Sequence, residues 1–194
     1  MFDEFSKSEL VSILEVIERA RNCSGPEELK KIILDSRQLV SADYAVCGLG
    51  KISGLMVSDV LGLINGNFPE EWMNDYIARR NYFNDPIVKY HSQFSMTQFW
   101  TNIFKYYDDK ASKRAIRDAA DFGLKFGISS GIFIPEEEKI SIFCFAGNQN
   151  RFDQHHKKIM DIITLHLNSA LVRVTDITPK AVSDIELRLD NWGL

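Results

Sequence analysis

Residues 67–100 read NFPEEWMNDYIARRNYFNDPIVKYHSQFSMTQFW, and the reading of this stretch decides the fold. Pro69 suits the first turn of a helix, where a missing N–H costs nothing. Glu70 and Glu71 follow in that turn, where negative charge complements the helix dipole. Trp72 and Tyr76 stand four residues apart, so they lie one above the other on a single helix face. Asp85-Pro86 ends the helical pattern, because the residue before proline is pushed towards extended geometry. The segment thus gathers four rings (Phe68, Trp72, Tyr76 and Trp100) and one acid, Asp85. Such a group can wall a small, mostly apolar ligand with one amide: indole N–H donates, carboxylate accepts, rings exclude water. It can equally be an aromatic core with a turn acid.

Working outward, the 194 residues are 45% hydrophobic and 26% charged, which suffices for one domain with a sizeable core. The net charge of -4 argues against a nucleic-acid surface, which is normally basic. Cys23, Cys47 and Cys144 are scattered, with no CxxC or CxxH spacing to support zinc, so reduced thiols in the cytoplasm are expected. The start, MFDEFSKSEL, is acidic and amphipathic rather than a signal peptide, and no apolar run approaches membrane-spanning length.

Residues 3–21 read as a helix with Phe5, Leu10, Ile13, Leu14, Ile17 and Ala20 in one stripe. Pro26 opens a second helix, with Leu29, Ile32, Ile33 and Ser36 on one face. Residues 44–52 and 57–65 read as two strands of a hairpin around Ser53-Gly54. Gly48 and Gly50 do not make a phosphate loop, since no GK[ST] follows; they let a backbone or ligand approach a strand closely. After a polar stretch at 101–112, residues 113–122 are helical and Gly123 closes them. Residues 131–134 and 140–145 read as strands, and 152–174 as a long helix with a broad apolar face. This order predicts an α+β fold: an α-β-α sandwich with a central antiparallel sheet of about five strands and helices on both faces.

The spacing W-x3-Y-x8-DP-x13-W of Trp72, Tyr76, Asp85-Pro86 and Trp100 resembles the autoinducer-binding domain of LuxR-type quorum-sensing regulators. Phe126, Gly127, Ser130, Gly131 and Pro135 resemble the same family's FGxxSGxxxP segment, in the right order. The resemblance covers roughly residues 5 to 174. It implies the sandwich fold, an autoinducer-binding domain over 1–174, and a tail or linker over 175–194.

The resemblance also implies a ligand, an N-acyl homoserine lactone, held between the sheet and the Trp72 helix. Trp72 then donates to the lactone carbonyl and Asp85 accepts from the amide N–H, while Tyr76 and Trp100 wall the lactone. Ser141 is the candidate for the acyl carbonyl, with Cys144 its alternative if the strand register differs by an odd number. Gly62 and Ile64, which share a face of their strand, line the pocket, and Val88 and Phe133 complete the expected set. One departure concerns ligand identity. The family has tyrosine where this chain has Phe68, and its hydroxyl reaches the acyl carbonyl; Phe68 cannot donate.

A second departure is the end, TDITPKAVSDIELRLDNWGL, which is too short for the family's helix-turn-helix and lacks its T-x-R-E-x-E-x-L-x-W start. The expectation is therefore no direct DNA binding by this chain. It is either a piece of a longer regulator or a naturally short receptor, the latter preferred; the leading function is the sensor domain of a LuxR-type transcriptional regulator, and the alternative is an antiactivator that forms inactive heterodimers with a full-length regulator. The resemblance implies a homodimer or heterodimer, with helix 152–174 at or near the interface, although the same stripe can simply cover the sheet. A receptor for another small amphiphile is the third reading. His155 and His156 are adjacent, not at i and i+4, so they form no metal pair and are expected in solvent. No nucleophile elbow, paired catalytic acids or cofactor loop appears, so neither an enzyme nor a cofactor is expected.

Overall fold

The structure is a computed structural model and describes residues 5–177. Two helices come first, α1 (Lys7–Asn22) and α2 (Pro26–Leu39). Ser6 and Glu9 form a reciprocal cap at the start of α1: the Ser6 N–H donates to Glu9 Oε2 at 2.8 Å and the Glu9 N–H to Ser6 Oγ at 3.2 Å. The hairpin β1 (Tyr44–Ser53) and β2 (Met56–Asn65) follows, and Gly54 turns it with φ +65°.

The aromatic stretch is not one helix. It divides into α3 (Glu70–Ala78), a 3-10 turn (Asn81–Phe83) and α4 (Pro86–His91). Arg80, at φ 52°, makes the break. Asp85 therefore begins a helix instead of ending one: its Oδ1 accepts the Ile87 N–H at 2.8 Å, with Pro86 in the first turn. Next come β3 (Thr97–Phe99) and the short α5 (Trp100–Ile103), neither of which the sequence pattern indicates, and α6 (Lys110–Asp121), which starts three residues before the expected 113. Asp109 caps α6 by accepting from the N–H groups of Ala111 and Ser112, both at 3.0 Å, which draws the helix back into the expected polar stretch. Strand β4 (Phe126–Ile134) takes in the whole FGxxSG run. Strand β5 (Lys139–Gly147) and the long α7 (Gln154–Ile177) complete the described chain. Helix α7 continues three residues past the expected boundary at 174; the expected tail from 178 onward lies outside the described residues, as do residues 3 and 4 of the first expected helix.

The sheet order is β2-β1-β5-β4-β3, antiparallel throughout. One face packs on α1, α2 and α7 through a large cluster that includes Leu29, Ile33, Phe143, Phe145, Ile163 and Leu167. The other face carries α3 to α6, over two smaller clusters centred on Phe68 and Trp100 and on Ile140 and Tyr82. The expected α-β-α sandwich with five strands is what the chain forms. Both histidines at the start of α7 have acidic partners: His155 Nε2 lies 2.6 Å from Glu9 Oε1 and ties α1 to α7, while His156 pairs with Asp153 at 2.9 Å.

Strand alternation decides which residues reach which layer. On β5, Ile140, Ile142 and Cys144 point towards α3–α6, and Phe143 and Phe145 towards α7. Strand β2 has two register shifts against β1: Leu49 faces Gly62 but Gly50 faces Val60, and Lys51 faces Asp59 but Ile52 faces Val57. Each skips one residue, so Val57, Val60 and Leu63 share the α3–α6 side although steps of three would put them on alternate faces of a regular strand.

Candidate functional site

A cavity of about 650 Å³ lies between the sheet and the α3–α6 layer. Its floor is Val46 and Gly48 from β1, Val57, Val60 and Leu63 from β2, and Ile140, Ile142 and Cys144 from β5. Gly48 and Gly50 do what close approach demands. A Cβ on Gly48 would sit 3.2 Å from Leu63 Cδ1, and one on Gly50 2.9 Å from Val57 Cγ1.

The wall is aromatic. Phe68, Trp72 and Tyr76 climb one side; Trp72 and Tyr76 stack at 4.7 Å and 28°, and Phe68 tilts against Trp72 at 5.7 Å. Asparagines fix the entry to this wall. Asn65 Oδ1 accepts the Phe68 N–H at 2.8 Å, and Asn67 bridges back to β1, accepting from the Ala45 N–H and donating to the Asp43 carbonyl, both at 2.9 Å. Trp100 closes the opposite side with its ring over Gly127, and its buried indole N–H has no partner among the described residues.

Asp85 is the polar centre. Tyr76 Oη donates to its Oδ2 at 2.8 Å, while the Ile87 N–H holds Oδ1. Burial pushes its carboxyl above the usual range, opposed by the Tyr76 and backbone hydrogen bonds and by Lys89. Burial, with Asp85 beside it, pushes the Tyr76 phenol up as well, and burial does the same to the Cys144 thiol, so both stay protonated at neutral pH. With Tyr76 and the start of α4 donating to it, the Asp85 carboxylate still has lone-pair capacity for a further donor. An apolar chamber with one oriented carboxylate and adjacent ring donors can bind an amphiphile that presents an N–H.

Helix α4 holds Asp85 in place through its far end. His91 is fully buried; its Nε2 lies 2.8 Å from Ser129 Oγ and its Nδ1 3.3 Å from the Phe94 carbonyl. With Nδ1–H donating to Phe94, Nε2 accepts from Ser129. Burial depresses the imidazole to about 4, so it stays neutral. Gly131 makes room for this ring, since a Cβ there would lie 2.6 Å from His91 Cβ. The two glycines of FGxxSG are thus seats for Trp100 and His91.

Six of the expected residues line the cavity: Phe68, Trp72, Tyr76, Asp85, Val88 and Trp100. Four do not. Ser141 faces α7, where its Oγ donates to Asn168 Oδ1 at 2.6 Å; alternation instead gives the floor position to Cys144. Gly62 and Ile64 also face away, Gly62 beneath the Thr175 side chain and Ile64 against the large cluster, because the register shifts move the floor to Val60 and Leu63. Phe133 pairs with Ile140 but stands 39% exposed beyond α4, its N–H on Ser95 Oγ at 2.9 Å. The helical reading of 113–122 gave α6 no part in the site, yet α6 contributes Ala111, Ala115, Ala119, Lys110 and Arg114. The small residues at helical spacing were the available signal. Among the described residues no helix is long and apolar enough to cross a membrane, and no cluster of side chains has metal-holding geometry.

Fold and cavity define a small-molecule sensor domain. Residues 25–171 match the family model for the autoinducer binding domain, and the chain belongs to that family. It is a ligand-sensing domain of the quorum-sensing kind, and the family is one of signal receptors rather than a known enzyme family. Among solved structures, the chain is similar to the N-acylhomoserine lactone-dependent LuxR family transcription factor CepR2 from Burkholderia cenocepacia. That likeness has 18% identity, covers 86% of this chain and 98% of that one, and has a TM-score of 0.66. It is also similar to Escherichia coli SdiA, at 18% identity over 86% of this chain and 69% of that one, with a TM-score of 0.67. SdiA in complex with octanoyl-rac-glycerol gives 16% identity over 88% and 68%, with a TM-score of 0.68. These likenesses show the fold. No curated protein matches the chain.

Proposed function

We propose that this chain senses an N-acyl homoserine lactone as the receptor domain of a LuxR-type regulatory system in the cytoplasm. The observation that carries the reading is Asp85, held by Tyr76 and by its own helix against an interior of apolar strand residues and rings. Asp85 takes the ligand amide N–H, Trp72 donates to the lactone carbonyl, and the acyl chain lies over the β-sheet floor. A charged acceptor makes the amide bond the strongest polar contact, roughly twice a neutral one. Titration calorimetry with a chain-length series of these lactones tests the reading: binding to the wild type and its loss in Asp85→Asn support it, and no heat with any of them defeats it.

One observation favours a second ligand. Phe68 and Cys144 give the cavity no hydroxyl where the resemblance implies one. SdiA is seen with octanoyl-rac-glycerol, and a glycerol ester with its own hydroxyls is the natural competitor for such a pocket; the same titration compares it directly.

The proposal includes a dimer, with a second copy or with a full-length regulator that it would block. The inward face of α7 is not the interface, because Ile159, Ile163, Leu167 and Leu171 are completely filled by the chain's own core. Light scattering with and without ligand, together with co-purification against a full-length regulator, measures it.

A further inference from the structure

The cavity opens to solvent through a mouth whose chemistry the acyl-amide reading leaves unused. Its exposed charged residues, Asp75, Arg79, Lys110, Arg114 and Asp118, all belong to α3 and α6. These helices run antiparallel across the opening. Ser112, near the start of α6, reaches the Asn84 carbonyl just beyond α3 at 3.5 Å. Ala119, near the end of α6, packs in the cluster of Phe68, which precedes α3.

That arrangement sorts the charges. Arg79 directly follows α3, Lys110 opens α6, and Arg114 is one turn further along α6; all three line the mouth. Arg79 pairs with Asp75 at 2.6 Å and Arg114 with Asp118 at 3.5 Å. Each acid lies one turn further from the Asn84 end than its arginine. Lys110 has no ion pair among the described residues. Three cations and two acids therefore rim the mouth, which leaves it a net positive charge with Lys110 the cation not matched by an acid. Like charges brought together repel unless an anion joins them.

We propose that the ligand carries a carboxylate next to its amide, and that Arg79, Lys110 and Arg114 hold this group at the mouth. The inference rests on the acyl-amide reading of the Asp85 cavity and narrows its ligand class to N-acyl amino acids, including N-acyl homoserine with its ring open. In such molecules one carbon separates the amide N–H from the carboxylate. Asp85 takes the N–H inside, and the guanidinium and ammonium donors take the acid at the rim. The absent hydroxyl at Phe68 fits a ligand recognised through its head group and not through its acyl carbonyl.

Titration calorimetry with N-octanoyl homoserine lactone and with the sodium salt of N-octanoyl homoserine, on the wild type and Lys110→Glu, tests this. Lys110 is exposed and outside the packed clusters, so the variant should fold, and its thermal unfolding checks that. The expected result is tighter binding of the open-ring acid than of the lactone. Lys110→Glu should weaken the acid by about fivefold while leaving the lactone unchanged, as loss of an exposed charge contact does, and added salt should weaken the acid selectively. Tighter binding of the lactone, with no effect of Lys110→Glu on the acid, overturns this inference and leaves the acyl-amide reading intact. No heat from either compound overturns both.

Discussion

Trp100 rests directly on Gly127: a Cβ on that glycine would come within 2.5 Å of indole Cδ2 and Cε2, and within 2.9 Å of the Phe145 carbonyl oxygen. A backbone neighbour on one side and a large ring on the other leave no room for even one methyl group. The cavity's Trp100 wall therefore depends on a strand residue that does not itself line the cavity.

The first prediction concerns this seat. Gly127→Ala forces the indole off the strand, and overpacking of this kind costs about 1–3 kcal/mol. The displaced ring moves into the cavity or out of the layer. Thermal unfolding should show the loss, and ligand titration should show binding weakened beyond what the stability loss explains. An unchanged unfolding midpoint would mean that the strand yields easily there.

Much of this was legible in the sequence, and the failures have physical causes. The helical stripes gave α1, α2 and α7, and Gly54 gave the hairpin. Phe68, Trp72, Tyr76, Asp85 and Trp100 were identifiable because their spacing matches a family pattern. What sequence could not give was register. Two skipped residues in β2 change which side chains share a face, so Gly62 and Ile64 went to the wrong layer. Ser141 and Cys144 differ by an odd number, and only the pairing of β5 with its neighbours decides between them. The short β3 and α5 carry too few residues to show a period, and α6 hid its role because alanines read as neutral filler.

The second prediction concerns pH. Burial raises the Asp85 carboxyl above its unfolded value, so the fold disfavours its charged form. Asp85 therefore costs the free protein stability above its folded pKa, and that cost disappears as pH falls through it. Asn can still cap α4 and still accept, but it carries no charge. Without ligand, Asp85→Asn should unfold at an equal or higher temperature than wild type at neutral pH, with the gap closing in acid. With ligand the order reverses, since losing a charge-assisted bond costs about 1.5–3 kcal/mol. Wild-type affinity should rise with pH through the Asp85 titration and then level off, while the variant stays flat; calorimetry across pH checks both curves.

The third prediction separates ring from donor at Trp72. Trp72→Phe keeps an aromatic face against Phe68 and Tyr76 and removes the indole N–H. For a ligand whose carbonyl accepts from that N–H, binding should fall by about 0.5–1.5 kcal/mol. The melting temperature of the free protein should change little, because Trp72 already opens onto the cavity. Equal affinity in the two proteins would assign Trp72 to the wall alone.

The last prediction is Phe68→Tyr. Phe68 is 3% exposed, lines the cavity, and meets Tyr44 edge-on at 6.1 Å. Asn65 and Asn67 clamp the backbone around it, so the ring at this position cannot swing far. A hydroxyl added to it must emerge where the cavity allows, which is the side on which the resemblance places the acyl carbonyl. In the free protein the new hydroxyl can be hydrated in the cavity, so stability should stay within about 1 kcal/mol of wild type. With an N-acyl homoserine lactone the hydroxyl gains an acceptor, and affinity should rise by about 0.5–1.5 kcal/mol, up to roughly tenfold. With octanoylglycerol, which has an ester in place of the amide and therefore no N–H for Asp85, any gain should be smaller. Weaker binding of the lactone would mean that Phe68 fills space the natural ligand uses. The pocket would then have been rebuilt for a different head group, and the same titration with the open-ring acid would show which.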